Sequence, residues 1–191
     1  MLKKFKQFIT EDKIDAKRVF CDLDGVLVDF KRGFKRLKSN PDHLTPIEYD
    51  KKHGKNSIWK LIDDRGSAFW EKLPWTKDGR ELWDYLSRYN PTILTSPSRG
   101  EHSVSGKTEW VKRNLNINEK PVLKPDGLTD ESHLIIAKDK YLFAKSANDI
   151  LIDDNHKKLE DWAAAGGTSV FHNDSTDTIR VLEEIFTNLK D

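Results

Sequence analysis

Val19-Phe20-Cys21-Asp22-Leu23-Asp24-Gly25-Val26-Leu27-Val28-Asp29-Phe30 is the stretch on which the fold turns. An apolar run climbs to Cys21, two carboxylates follow two residues apart, and a glycine comes at once. A short apolar run that stops at a glycine reads as a buried strand reaching its end. In open α/β sheets, ligands bind outside the carboxyl ends of the strands, which places Asp22 and Asp24 at the rim of a crevice. Two close carboxylates repel, and both stay ionised only with a cation or a proton between them. The plainer alternative is a turn whose aspartates bond local backbone N–H groups, and the rest of the chain decides between the two.

The same pattern recurs downstream. Thr92-Ile93-Leu94-Thr95-Ser96-Pro97 is a short strand ending in two hydroxyls, and Asp149-Ile150-Leu151-Ile152-Asp153-Asp154-Asn155 is a second strand ending in carboxylates. Thr168-Ser169-Val170-Phe171 is a further strand, with short candidates at Pro121-Val122-Leu123 and His133-Leu134-Ile135-Ile136 that suit a sheet edge. Helical periodicity marks a basic helix from Phe30 that Asn40-Pro41 ends, a helix capped by Asp78, and helices over residues 107–115 and 156–164, with a last one from Thr176. Residues 98–106 read as a polar loop, and 139–145 as a helical turn. Strands alternating with helices predict an α/β fold: a Rossmann-like parallel sheet with helices on both faces and right-handed crossovers. Residues 31–75 show no strand pattern, and helical pieces near 46–53, 56–63 and 67–72 predict a small helical cap inserted after the first strand. The core is then 1–30 and 76–191. Leu2, Phe5, Phe8 and Ile9 have helical spacing within residues 1–14.

The chain has 191 residues, enough for one domain with a small insertion. Its 33 basic and 32 acidic side chains nearly cancel, which argues against bulk electrostatic binding and a stable nucleic-acid partner. With one cysteine, Cys21, it has no intrachain disulfide and no cysteine-based zinc site. No apolar stretch is long enough to span a membrane, and the N-terminus lacks the apolar core of a signal peptide. A soluble cytoplasmic protein is expected, its oligomeric state open.

Placed side by side, the strand ends bring together Asp22/Asp24, Thr95/Ser96 and Asp153/Asp154, with Lys107 read as opening the helix after the second strand. Four carboxylates in one crevice need a cation, and an all-oxygen set favours Mg²⁺ over zinc. The remaining groups suit a phosphate: hydroxyls and backbone N–H groups at Thr95/Ser96 bond its oxygens, and Lys107 neutralises it. Among such carboxylates one serves as a nucleophile that forms an acyl-phosphate, and another as general acid and then base.

This order of motifs resembles the haloacid dehalogenase-like phosphohydrolase superfamily over nearly the whole chain, with Asp22-x-Asp24-Gly25-Val26, Thr95, Lys107 and Asp153-Asp154 on its four motifs. The resemblance implies that Asp22 is the nucleophile and Asp24 the acid/base. It also implies that Asp22, the Asp24 backbone carbonyl and Asp154 hold Mg²⁺, with Asp153 working through water. An aspartate at the position of Asp24 marks the superfamily's phosphatases. Within it, Asp22 to Phe30, Thr95-Ser96-Pro97, Lys107-Thr108-Glu109-Trp110-Val111 and Leu151-Ile152-Asp153-Asp154 resemble the 5'(3')-deoxyribonucleotidases. These remove phosphate from nucleoside monophosphates and carry a small helical cap. On that resemblance Phe30 lines the base pocket, and Phe69 and Trp70 are further candidates. Asn155 replaces the arginine of the family's vertebrate members, and Ser98-Arg99 replaces Ile-Lys, so nucleotide preference is left open. The expected substrate is a small phosphomonoester, a nucleotide first. The alternatives are another small phosphoester, a nucleic-acid 3'-phosphate end, or a metal-binding module without catalysis.

Overall fold

The computed structural model describes residues 17–99, 102–129 and 131–187. The helical segment expected within residues 1–14 lies outside them. In chain order the elements are β1 (Arg18–Cys21), α1 (Phe30–Lys35), α2 (Pro46–His53), α3 (Ser57–Asp63), α4 (Ser67–Glu71) and α5 (Gly79–Leu86). They continue with β2 (Thr92–Thr95), α6 (His102–Leu115), β3 (Leu134–Ile136), β4 (Asp149–Asp153), α7 (His156–Ala164), β5 (Thr168–Phe171) and α8 (Ser175–Thr187). The expected helical turn is a 3-10 helix at Lys140–Phe143.

The five strands form one parallel sheet in the order β3-β2-β1-β4-β5. The chain runs outward from β1 through β2 to β3, then returns to the other side of β1 for β4 and β5. The reversal lies between β1 and β4, and a crevice at their carboxyl ends is the expected ligand site of such a sheet. Strand β4 is buried along its whole length, as a parallel strand covered on both faces must be. Alternate residues fill two cores. Val19, Cys21, Ile150 and Ile152 pack with Leu82, Val111 and Leu182 from α5, α6 and α8. Phe20, Leu94 and Leu151 pack with Leu159 and Trp162 from α7 and with Phe143. Among the described residues, no helix is long and apolar enough to cross a membrane.

The inserted cap carries α1 to α4, and its Phe34, Ile58, Ile62, Phe69 and Trp70 belong to the same apolar cluster as one face of the sheet. Helix α2 starts where Thr45 and Glu48 form a reciprocal capping box with Pro46 in the first turn. Helix α1 ends at Lys35, earlier than Asn40-Pro41 alone predicts. Buried Asn40 turns back and donates to the carbonyls of Phe34 (3.4 Å) and Leu44 (2.8 Å), taking the place of further helical turns.

Three other local expectations are corrected. Asp78 stands at the start of α5 without capping it, because its carboxylate accepts from the Ser175 N–H (2.6 Å) at the start of α8. Of Pro121-Val122-Leu123 only Val122 joins the sheet, through one bridge to Ile135 of edge strand β3. Helix α6 begins at His102, so Lys107 lies in its second turn and does not open it. Gly106 marks no loop. A Cβ there would stand 2.5 Å from the Trp70 Cβ and 2.6 Å from the Ser67 carbonyl oxygen, so the glycine lets α4 lie against α6. The Trp110 indole N–H donates to the Leu73 carbonyl (2.8 Å) and ties the two segments a turn further on.

Alanine favours an exposed helix over glycine by about 1 kcal/mol, but at this contact overpacking dominates. Gly106→Ala is expected to lower the unfolding free energy by about 1–3 kcal/mol in urea titrations. A neutral or stabilising effect would contradict the close approach of α4.

Candidate active site

Asp22 leaves β1 with its N–H bonded to the Ile152 carbonyl of β4 (2.9 Å), which fixes the strand end beside Asp153. Its Oδ1 accepts from its neighbour's N–H, that of Leu23 (2.7 Å), and pairs with the Lys140 ammonium (2.8 Å). The same ammonium pairs with Asp153 Oδ2 (2.7 Å), and all three residues are buried. Burial pulls the Lys140 amine down, but Asp22 and Asp153 outweigh it and its pKa is raised. Asp153 is raised by burial and by the Asp22 charge.

Asp154 completes the cluster, and one ligand oxygen from each of the three aspartates lies within 4.8 Å of the others. Solvent reaches Asp154, yet partial desolvation and the charges of Asp22 and Asp153 push it up to about 6. The turn after Asp24 is built to receive it. Gly25 has φ +84°, and a Cβ there would lie 2.0 Å from Asp154 Oδ2. Asp153 has both oxygens engaged, Oδ1 by the Asn155 N–H (2.9 Å) and Oδ2 by Lys140. Among the described residues no side chain donates to Asp154 or to Asp22 Oδ2. Asp22 and Asp154 each keep an oxygen without a side-chain donor beside Asp153, and these carboxylates, with no His or Cys in the set, fit a hard divalent cation.

The second arm is held by two lysines. Lys107 Nζ donates to Asp24 Oδ2 (2.5 Å), to the hydroxyl of buried Thr95 (3.1 Å) and to the Ser96 carbonyl (2.6 Å). The Lys158 amine donates to the Ser96 hydroxyl, and burial and then the nearby Lys140 charge lower its pKa. Asp24 Oδ1 is buried without a hydrogen-bond partner.

A cleft of 550 Å³ opens over these groups. Asp22, Asp24, Thr95, Ser96, Lys107, Asp154 and Lys158 line its polar part, and Phe30, Trp59 and Trp70 its aromatic wall. The Phe30 ring centroid lies 5.7 Å from that of Trp70 and 6.5 Å from that of Trp59. Arg99, from the loop after β2, stands over the Trp59 ring and donates to Asn56 Oδ1 (3.0 Å), joining that loop to the cap.

No family model matches the chain, and no curated protein matches it in sequence. Solved structures do match in shape. A hydrolase from Streptococcus pneumoniae TIGR4 superposes with a TM-score of 0.53 at 11% identity, over 88% of this chain and 98% of that one. A haloacid dehalogenase-like family hydrolase from Xanthomonas campestris superposes with a TM-score of 0.52 at 10% identity, over 93% and 94%. The chain has the haloacid dehalogenase-like hydrolase fold.

Within that fold, Asp22, Asp24, Thr95, Ser96, Lys107, Asp153 and Asp154 do converge, and Phe30 and Trp70 border the same cleft. Phe69 does not line it. It is buried behind Phe30, edge-on at 5.5 Å. Lys107 engages Asp24, and the ammonium on Asp22 comes from Lys140 instead. Sequence patterns alone missed Lys140, Trp59 and Lys158. Lys140 sits in a short polar-to-apolar turn with no motif, and thirteen residues separate it from the Asp153 it pairs with. Trp59 differs from the cap's other tryptophans only through its position on α3. Lys158 follows the Asn155 cap of α7 and reads as a surface lysine.

Lys140→Met is expected to lower stability in metal-free buffer by about 3–5 kcal/mol, the cost of leaving a buried charge unpaired. Adding Asp153→Asn should recover part of that loss. Chemical denaturation in the presence of a chelator reads both, and an unaltered midpoint for the single variant would exclude the ion pair.

Proposed function

We propose that the protein is a Mg²⁺-dependent phosphomonoesterase that releases phosphate from nucleoside monophosphates. One observation carries this reading. Asp22 is fixed by Lys140 at the end of β1, and two residues on stands Asp24 with a buried oxygen that no protein group bonds.

The free oxygen of Asp22 attacks phosphorus and forms an aspartyl-phosphate. The ester oxygen leaves with a proton from Asp24, which then deprotonates a water. That water attacks phosphorus, frees inorganic phosphate and regenerates Asp22. Lys107 holds Asp24 by Oδ2 at the edge of the cleft, where that carboxylate suits the acid/base role. The Thr95 and Ser96 hydroxyls and the Lys158 amine face the cleft beside Asp22, where they suit the phosphoryl oxygens. Asp22, Asp154 and the Asp24 backbone carbonyl would hold Mg²⁺, with Asp153 behind them. The bound cation supplies positive charge against the phosphoryl oxygens. Phe30, Trp59 and Trp70 offer the apolar surface on which a base stacks.

Asp22→Asn is expected to abolish Mg²⁺-dependent phosphate release with the circular dichroism spectrum unaltered, since the amide is isosteric and a poor nucleophile. Turnover at the parent level in that variant would overturn the mechanism. Phe30→Ala and Trp59→Ala should each weaken kcat/KM for mononucleotides by about 1–3 kcal/mol, the contribution of one stacked base, and leave a generic aryl phosphate less affected. Equal losses on both substrates would count against a base at this wall.

A further inference from the structure

We infer that the cleft runs on into a phosphate-binding trough along α1, so that the preferred nucleotide carries a second phosphate beyond the one released. The inference takes its nucleotide from the function proposed above and its own support from the surface beside the cleft. An open trough of 620 Å³ is lined on one side by Lys31, Arg32, Lys35 and Arg36 and on the other by His43 and Thr45. Asp29 and Lys31 line both the trough and the active-site cleft, so the two cavities meet there.

The four cations are exposed, and none makes an ion pair among the described residues. Exposed cations elsewhere are of both kinds: Lys52 pairs with Asp42, Lys157 with Asp161, and Arg180 with Asp177 and Glu184, while among the described residues Lys55, Lys60 and Lys124 stand singly and are not gathered beside a cavity with others of their sign. Two carboxylates stand beside the trough, Asp29 in its lining and Glu48 near enough to Lys35 to feel its charge, and each also accepts from backbone. Asp29 Oδ1 accepts from the Arg32 N–H (2.8 Å) as the α1 cap, and Glu48 accepts from the Thr45 N–H (2.7 Å) in the α2 capping box. The far wall is fixed as well. The His43 ring nitrogen Nδ1 bonds the Lys35 carbonyl (2.8 Å), and buried Asn40 holds the loop at Phe34 and Leu44.

Four exposed cations without an ion-pair partner among the described residues, side by side on a chain of net charge +1, outnumber the two carboxylates beside them, Asp29 and Glu48. Like charges at this spacing oppose one another until an anion enters. An anion tethered to a base already stacked in the cleft arrives at high effective concentration. A cationic track beside aromatic stacking surfaces is also the physical pattern of single-stranded nucleic-acid sites. The second phosphate belongs either to a nucleoside bisphosphate or to the next linkage of a phosphate-terminated oligonucleotide.

Calorimetric titration of the full-length Asp22→Asn protein, in Mg²⁺ and at low salt, tests the trough without turnover. Its three ligands are a deoxynucleoside 5'-monophosphate, the matching 3',5'-bisphosphate and a trinucleotide with a terminal phosphate. At least one of the latter two should bind about tenfold or more tighter than the monophosphate, given the gain expected of a tethered second contact. Bisphosphate binding as tight as that of the trinucleotide assigns a free nucleotide, and a further gain with the trinucleotide assigns a nucleic-acid end. In an Arg32→Gln/Lys35→Gln/Arg36→Gln background the ratio should fall to near unity with monophosphate affinity retained, whereas Arg32→Lys/Arg36→Lys should keep the ratio. For a trinucleotide that engages the trough, the salt dependence should exceed that of the monophosphate by about 0.7 in log–log slope per phosphate engaged. Equal affinities for all three ligands, no binding of any, or a ratio that survives the triple substitution would overturn the inference. Failure of the parent protein to release phosphate from any of the three, with the ratio intact, would remove the phosphatase reading and leave the trough standing. Release without the ratio would do the reverse.

Discussion

The structure depends on one ammonium group. Strands β1 and β4 each end in an aspartate at the sheet's reversal point, and their backbones are joined by the bond from the Asp22 N–H to the Ile152 carbonyl. Two buried carboxylates cannot sit there ionised without a counter-charge. Lys140 supplies it and bonds both. Counting Asp154, three carboxylates and one ammonium leave two negative charges, the charge of a single divalent cation. Lys140 thus offsets one of the buried pair's two negative charges, and Asp154 adds another at the cleft.

A second arm keeps Asp24 apart from this balance. Lys107 ties it to Thr95 and to the Ser96 carbonyl, away from Lys140. Two aspartates two residues apart therefore meet different cations, and each keeps one oxygen without a side-chain donor. Near neutrality of the chain conceals how unevenly its charge is placed. An acidic cluster lies at the sheet's end, and an unpaired basic helix face lies beside the same cleft.

Much of this was legible in the residues because it is written locally. Apolar runs ending in Asp22, Thr95 and Asp153 are the buried strands of a parallel sheet, and the helical piece expected near 46–53 is α2. What escaped was tertiary. Gly106 reads as a loop residue until Trp70 is placed against it, and Asp78 reads as a cap until α8 claims its carboxylate. Phe69 and Trp59 are interchangeable as cap aromatics until packing puts one behind Phe30 and the other on the cleft wall. Lys140 has no pattern of its own, since its role comes wholly from the two aspartates that the sheet carries to it.

The close contact at Gly106 has a consequence for how this cleft can diversify. Trp70 forms part of the cleft's aromatic wall, and the glycine that admits its backbone is the residue immediately before Lys107. The aromatic wall and the lysine that holds Asp24 therefore share one helix-to-helix seam. Trp59, one helix away on α3 and reached through Arg99, has no such linkage to Lys107. The cleft thus has one aromatic wall tied to the helix that carries Lys107 and another that is not, so a change at Trp59 disturbs the hold on Asp24 less than a change at the α4–α6 seam.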